Sequence, residues 1–128
     1  MASGLPADVP EEAQVQFHRG YEAQMSGRLD EAVEHYRASI AVHPTAEAHT
    51  FLGWAYSHAG RHEDAIAECK IAIAVDPDFG NPYNDIGAYL IALGREEEAI
   101  TELRGALAIE PRYTLARHEL HRLLGTLN

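Results

Sequence analysis

The sequence has one cysteine, Cys69, in 128 residues, and it has no long run of uncharged apolar residues. A single cysteine excludes an internal disulfide framework and fits a reducing compartment. No positively charged stretch leads into an apolar segment at the N-terminus, so the sequence predicts neither a signal peptide nor a membrane helix. We therefore expect a cytoplasmic protein.

Basic residues are also scarce. Ten Lys and Arg stand against twenty Asp and Glu, which gives a formal net charge of -10. This charge argues against a nucleic acid or an anionic membrane as partner, because phosphates would be repelled. Strand-like runs of Val, Thr and aromatics are lacking, whereas Ala, Leu and Glu are plentiful, which favours helix. The length suits one domain with a real core.

The small residues of the sequence recur at a fixed period. The stretch from Thr50 to Pro77 is matched by the stretch from Asn84 to Pro111, and a third copy precedes both. Successive copies are 33 or 34 residues apart, which is the signature of a repeat protein. The columns in phase are Gly20, Gly53 and Gly87; Gly27, Gly60 and Gly94, each followed by Arg; Ala32, Ala65 and Ala99; Ser39, Ala72 and Ala106; and Pro44, Pro77 and Pro111.

Each copy predicts two amphipathic helices joined by a short turn, because apolar residues recur three and four apart on both sides of the Gly-Arg pair. The turn glycine supplies a left-handed backbone, the acids after it favour a helix N-terminus, and the proline ends the second helix. Small residues such as Gly53 and Ala65 allow the paired helices to approach closely. The small residues therefore recur because they set the backbone geometry.

With these columns the chain resembles the tetratricopeptide repeat (TPR) family. The resemblance implies an all-α, right-handed superhelical solenoid of three helix-turn-helix repeats plus a capping helix. The expected segments are a flexible N-terminal segment at 1–12, repeats at 13–45, 46–79 and 80–113, and the capping helix at 114–128. A stripe of four leucines is expected to cover the third repeat: Leu115, Leu120, Leu123 and Leu124.

In this family the first helices of the repeats line a concave groove that binds peptides. Carried over by repeat position, the candidate groove residues are Phe17, Tyr21, Thr50, Trp54, His58, Asn81, Asn84 and Ile91. Phe17, Tyr21 and Trp54 are the most informative, because they should lie off the core-facing stripe, and clustered accessible aromatics mark binding surfaces. Trp54 is expected between Tyr21 and Asn84. The alternative is that Tyr21 and Trp54 only pack between neighbouring first helices.

Some family members clamp the C-terminal carboxylate of heat-shock chaperones with Lys, Asn and Arg at set groove positions. Those positions here hold Phe17, Tyr21, Phe51, Asn81 and Asp85, so no cation is present and an aspartate stands in place of an arginine. The sequence therefore predicts an apolar or basic ligand segment and not an acidic C-terminal tail.

Metal binding and catalysis have little support in the sequence. His118 and His121 are three apart on the last helix, but a stable site needs about four placed ligands. We expect the histidines to be solvated. Cys69 occupies the large position of its repeat and should be buried, and no glycine-rich phosphate loop follows a strand. The sequence predicts no metal, no cofactor and no enzymatic activity.

The resemblance implies a protein–protein interaction scaffold or adaptor that binds a peptide or helix in the groove. The alternative is a structural scaffold that self-associates into a homo-oligomer. The sequence separates these two poorly, and light scattering across concentration would distinguish them.

Overall fold

The computed structural model describes residues 5–126, and over this range it consists of seven α-helices without β-strands. The helices pair as three hairpins, α1 with α2, α3 with α4 and α5 with α6, and α7 packs on α6. This confirms the predicted all-α architecture. The helices are α1 Glu11–Met25, α2 Leu29–Val42, α3 Ala46–His58, α4 His62–Val75, α5 Asn81–Ala92, α6 Glu96–Ile109 and α7 Thr114–Thr126.

The turn inside each hairpin is built by its glycine. Gly27, Gly60 and Gly94 have φ angles of 78°, 79° and 77°, in the left-handed region. The amide of the following arginine donates to the carbonyl five residues earlier, as Arg61 does to Tyr56 at 2.9 Å, and the glycine amide donates to the carbonyl three residues earlier. These are the bonds of a Schellman motif, which satisfies carbonyls left over at a helix C-terminus.

The arginine of each turn also has a structural role. Its guanidinium pairs with an acid three residues later, in the first turn of the second helix: Arg61 with Asp64 at 2.8 Å and Arg95 with Glu98 at 2.6 Å. These pairs are exposed to solvent, so each adds little to stability. In each Gly-Arg pair, the glycine therefore allows the chain to reverse direction, and the arginine forms a local ion pair with the start of the next helix.

The other glycine column marks the closest approach of paired helices. A Cβ atom added at Gly53 would lie 3.0 Å from the carbonyl oxygen of Ala65, and one at Gly87 would lie 2.8 Å from the Leu103 side chain. Ala65 and Ala99, at the facing positions, have no exposed surface. Small residues therefore recur because a larger side chain would separate the two helices of a hairpin.

Replacing Ala65 with leucine should lower the free energy of unfolding by about 1–3 kcal/mol, because overpacking this crossing displaces backbone. Urea unfolding followed by circular dichroism measures the effect. Ala67→Leu is the matched control, since Ala67 is exposed on the same helix and should change stability by less than about 0.5 kcal/mol. Equal stability of the two variants would show that the column is not a packing contact.

The first helices form one layer, because α1 contacts α3 and α3 contacts α5. This layer carries the predicted groove, and a continuous core lies between it and the second helices. Each second helix ends two residues before its proline, at Val42, Val75 and Ile109.

The last helix differs in part from the prediction. Leu123 is fully buried and Leu120 is partly buried against the core, but Leu115 is 66% exposed and Leu124 is 37% exposed. Ala116, which is fully buried, completes the buried stripe. The reason is helical spacing, since residues 116, 120 and 123 share one face, whereas residue 115 is rotated about 100° from residue 116.

The start of the chain is more closely packed than expected. Val9 is buried, and its carbonyl accepts a hydrogen bond from Nε2 of Gln14 at 2.7 Å. Leu5 is partly buried against the core. Within the predicted flexible segment, Leu5 and Val9 therefore pack against the folded chain, and residues 11 and 12 belong to α1. Residues 1–4 lie outside the described range, as do residues 127–128 of the predicted capping segment.

Candidate binding groove

An aromatic cluster lies on the layer of first helices (α1, α3 and α5), called the inner layer below, and is formed by Tyr21 of α1 and Phe51, Trp54 and His58 of α3. The ring centroids are 6.4 Å apart for Tyr21 and Trp54, 5.7 Å for Phe51 and Trp54, and 4.9 Å for Trp54 and His58. Positions 51, 54 and 58 fall on one face of α3, because they are three and four residues apart. The tilted and edge-to-face arrangements are those that aromatic pairs prefer.

Tyr21 and Trp54 are both partly exposed. Their rings pack against each other between α1 and α3, as expected if they only join neighbouring first helices. Both residues also remain partly exposed, as a partner-binding surface requires. The ring packing and the partial exposure do not decide between the two alternatives, and a binding role for these rings stays a prediction. Packing holds the rings in place, and the accessible parts form a surface.

Two predicted groove residues are not accessible. Phe17 is 1% exposed, with its ring 5.6 Å from Tyr36 on α2 and 4.9 Å from Phe51. The expectation that Phe17 lies off the core stripe is wrong, because α1 packs against α2 and α3 at once and this widens its buried face. Thr50 is 4% exposed, and its hydroxyl donates to the carbonyl of Ala46 at 2.7 Å. The hydroxyl proton of Thr50 is therefore already used in a hydrogen bond within α3.

A pocket of about 250 Å³ opens beside Trp54, between α3 and α5. Its lining includes Asp85 and Asn81, which are four apart and share one face of α5. Asn84, which is expected beside Trp54, does not line this pocket. The full lining is Thr50, Phe51, Trp54, Asn81, Asp85 and Tyr113.

Sequence reasoning missed Phe51, Asp85 and Tyr113 as members of the candidate site. Tyr113 follows the third repeat's proline, and its hydroxyl donates to Oδ1 of Asn81 at 2.7 Å. This bond fixes the amide of Asn81 at the pocket wall. The sequence shows an acid at the groove position of Asp85, but the sequence position alone indicates only that an arginine is absent there.

Asp85 is the unusual group of the pocket. Burial raises the pKa of this carboxyl to about 6, against the opposing effect of the hydrogen bond with Asn84. Among residues 5–126, no ion pair includes Asp85. At neutral pH the pocket therefore contains a partly buried carboxylate without a cationic partner, which lowers the stability of the fold.

Replacing Asp85 with asparagine should raise stability at pH 7.5 by about 1–2 kcal/mol. The folded-state pKa, about 6, is above the ordinary value of 3.8, so the folded protein binds the proton more tightly. The wild type then loses stability as the pH rises from about 4 through 6, and the variant lacks this loss. Urea unfolding at several pH values measures the difference. A stability difference that does not change between pH 4 and 7.5 would contradict the account.

His58 is exposed, but a chain of hydrogen bonds orients it. The Tyr36 hydroxyl donates to Oε1 of Gln24 at 2.8 Å, and Nε2 of Gln24 lies 3.2 Å from Nδ1 of His58. Since the Gln24 nitrogen is a donor, Nδ1 of the neutral imidazole accepts and its proton is on Nε2. His58 thereby offers an N–H donor at the edge of the aromatic cluster.

The remaining predicted residues have different surroundings. Asn81 is exposed, and Ile91 is partly buried against the core near the end of α5. His118 and His121 are exposed on α7, and residues 5–126 contain no group of three potential metal ligands. The expectation of solvated histidines is wrong for His49, which is 9% exposed, with Nδ1 3.0 Å from the Glu68 carboxylate.

Cys69 is fully buried, as predicted, and burial raises the pKa of its thiol. A buried, protonated thiol is a poor nucleophile. No helix within residues 5–126 combines the length and apolar character needed to cross a bilayer.

Comparison with known proteins identifies the repeats. Residues 17–82 match one tetratricopeptide repeat family model, and residues 81–113 match a second. The chain belongs to the tetratricopeptide repeat family. A search of curated proteins finds no match.

Solved structures of TPR domains are similar in fold over nearly the whole chain. The first TPR domain of human RPAP3 is 27% identical, with a TM-score of 0.86 over 92% of this chain and 94% of that one. The first TPR of Spaghetti (RPAP3), bound to the HSP90 peptide SRMEEVD, is 26% identical, with a TM-score of 0.85 over 95% and 98%. The second TPR domain of human RPAP3, in complex with the HSP70 peptide SGPTIEEVD, is 26% identical, with a TM-score of 0.80 over 88% and 94%.

Proposed function

We propose that this chain is a non-catalytic adaptor that binds a segment of a partner protein in its concave groove, centred on Trp54. The observation that carries the proposal is the partly exposed aromatic cluster next to the pocket of about 250 Å³. Binding energy at protein interfaces concentrates in aromatic side chains at the centre of the contact, where water is excluded. The proposal places the protein in the cytoplasm, which its single buried cysteine fits.

The similar TPR domains support a role in protein interaction, since two of them hold peptides. Their peptides end in acidic sequences, however, and the pocket of this chain is different. Its lining contains a carboxylate and no Lys or Arg. An acidic peptide would meet like charge in a partly desolvated site, which is unfavourable. We therefore propose an apolar or basic segment as the ligand.

The peptide SRMEEVD should not bind this protein with a dissociation constant below about 1 mM, because the lining of the pocket beside Trp54 contains no Lys or Arg to pair with its carboxylates. Titration calorimetry checks this, and the Spaghetti domain that holds the peptide provides the positive control. Binding to this chain in the micromolar range would contradict the proposed ligand class.

The proposed function is tested with a displayed library of random peptides, selected in parallel against the wild type and Trp54→Ala. We expect the wild type to enrich apolar or basic sequences, and the variant to lose them while circular dichroism shows intact helices. Enrichment of the same peptides by both proteins would contradict a groove centred on Trp54. The alternative, self-association, is favoured if light scattering shows a concentration-dependent oligomer that Trp54→Ala dissociates.

A further inference from the structure

The carboxylate of Asp85 reaches the pocket beside Trp54 without a cation to balance it. Among residues 5–126, no ion pair includes this carboxyl. On the neighbouring helices α3 and α4, Nδ1 of His49 lies 3.0 Å from the Glu68 carboxylate, so these two groups are partners of each other. Taking a carboxylate partly out of water without a partner is unfavourable, and groups of this kind concentrate at functional sites.

Three of the five other residues that line the pocket are aromatic. Phe51 and Trp54 lie on the α3 side, with ring centroids 5.7 Å apart and planes at 90°. Tyr113 lies on the side of α5, where its hydroxyl is bonded to Asn81. Aromatic faces attract cations, and the attraction is stronger where water is displaced. An acid that shares its pocket with three aromatic rings is therefore a candidate site for one positive charge.

The size of the pocket limits its occupant. Sites that enclose drug-sized molecules measure roughly 300–1,000 Å³, and this pocket of about 250 Å³ lies just below that range. This volume suits a single long side chain of a bound segment.

We propose that this pocket receives an arginine side chain of the partner segment, with the guanidinium paired to Asp85 and packed against the rings of Trp54 and Tyr113. The proposal rests on the proposed function of groove binding and deepens it. It makes Asp85 the residue that determines ligand specificity.

Arginine suits this site better than lysine for three reasons. Its planar guanidinium binds both oxygens of a carboxylate, it stacks on aromatic faces, and it is more weakly hydrated than an ammonium group. The last property matters because the ligand charge must leave water to reach a partly buried acid. Lysine offers only a strongly hydrated point charge.

The experiment begins with the peptide library selected against the wild type and against Asp85→Asn. Asp30→Asn is the matched control, because it removes one negative charge at an exposed site on α2, away from the groove. We expect the wild type and Asp30→Asn to enrich arginine at one position over lysine. We expect Asp85→Asn to lose this enrichment and to retain the apolar positions.

The best wild-type peptide is then synthesised with arginine and with citrulline, which has nearly the same shape but no charge. Trp54 is the sole tryptophan of the chain, so its fluorescence reports occupancy of the pocket. Citrulline and Asp85→Asn should each weaken binding about 10-fold or more, and together they should weaken it little further, since both remove the same pair. This non-additivity separates a direct pair from a general charge effect.

Several results would overturn the inference. Equal enrichment of lysine, enrichment without any cation, or a citrulline penalty that persists in Asp85→Asn would each show that Asp85 does not pair with arginine. If Trp54→Ala abolishes binding while Asp85→Asn and citrulline have no effect, groove binding stands and this inference alone fails. If no peptide binds the wild type, or binding is insensitive to Trp54→Ala, the proposed function and the inference fail together.

Discussion

Deleting residues 114–128 should lower the free energy of unfolding by about 3–5 kcal/mol and cause the protein to associate. The helix α7 buries Ala116 and Leu123 completely and Leu120 in part, and it packs on α6. Burying one leucine contributes about 1.5–3 kcal/mol, and the deletion also exposes the apolar face of α6, which is an aggregation liability. Urea unfolding and light scattering measure the two effects.

The leucines of α7 provide a matched control within one helix. Leu123→Ala should lower stability by about 2–4 kcal/mol, because Leu123 is fully buried. Leu115→Ala makes the same chemical change at a side chain that is 66% exposed, and it should change stability by less than about 0.5 kcal/mol. A monomeric truncated protein of wild-type stability, or equal effects of the two substitutions, would show that α7 does not complete the core.

Trp54→Ala is expected to have the largest effect on binding. Its ring contacts Tyr21 and His58 within the aromatic cluster and also lines the pocket. Truncating an aromatic side chain at the centre of an interface costs about 2 kcal/mol or more, which corresponds to roughly 30-fold in affinity. Trp54→Phe keeps an aromatic ring at the same position, so it should retain part of the affinity.

The hairpin geometry could be predicted from the sequence because it depends on backbone constraints. A left-handed turn requires glycine, and a close helix crossing excludes any side chain, so Gly60 and Gly53 appear at the same place in every copy. Such requirements are local, and they do not depend on which large residues fill the core. The helix bounds follow from the same glycines and prolines.

Side-chain exposure was harder to predict because it depends on how many neighbours a helix has. Phe17 occupies a groove position by count, but α1 packs on two helices, so its ring enters the core. Leu115 belongs to an apolar series by composition, but the helical rotation turns it to the surface. Repeat position alone does not contain this information.

Asp85 shows a different limit of sequence reasoning. An acid at a groove position suggests a ligand class. Its partial burial and the rings beside it depend on how α3, α5 and Tyr113 pack together in the fold, which the sequence position does not show. The account implies that Asp85 lowers the stability of the free protein and contributes to recognition. Functional sites commonly conflict with stability in this way.

The most direct test of the groove is the affinity of Trp54→Ala for a peptide selected by the wild type, with circular dichroism confirming the helices. Ile71→Ala is the control, since Ile71 is an exposed apolar residue on α4, outside the inner layer. The account predicts that Trp54→Ala weakens binding at least about 30-fold and that Ile71→Ala leaves it unchanged. A folded Trp54→Ala variant with wild-type affinity would contradict the account.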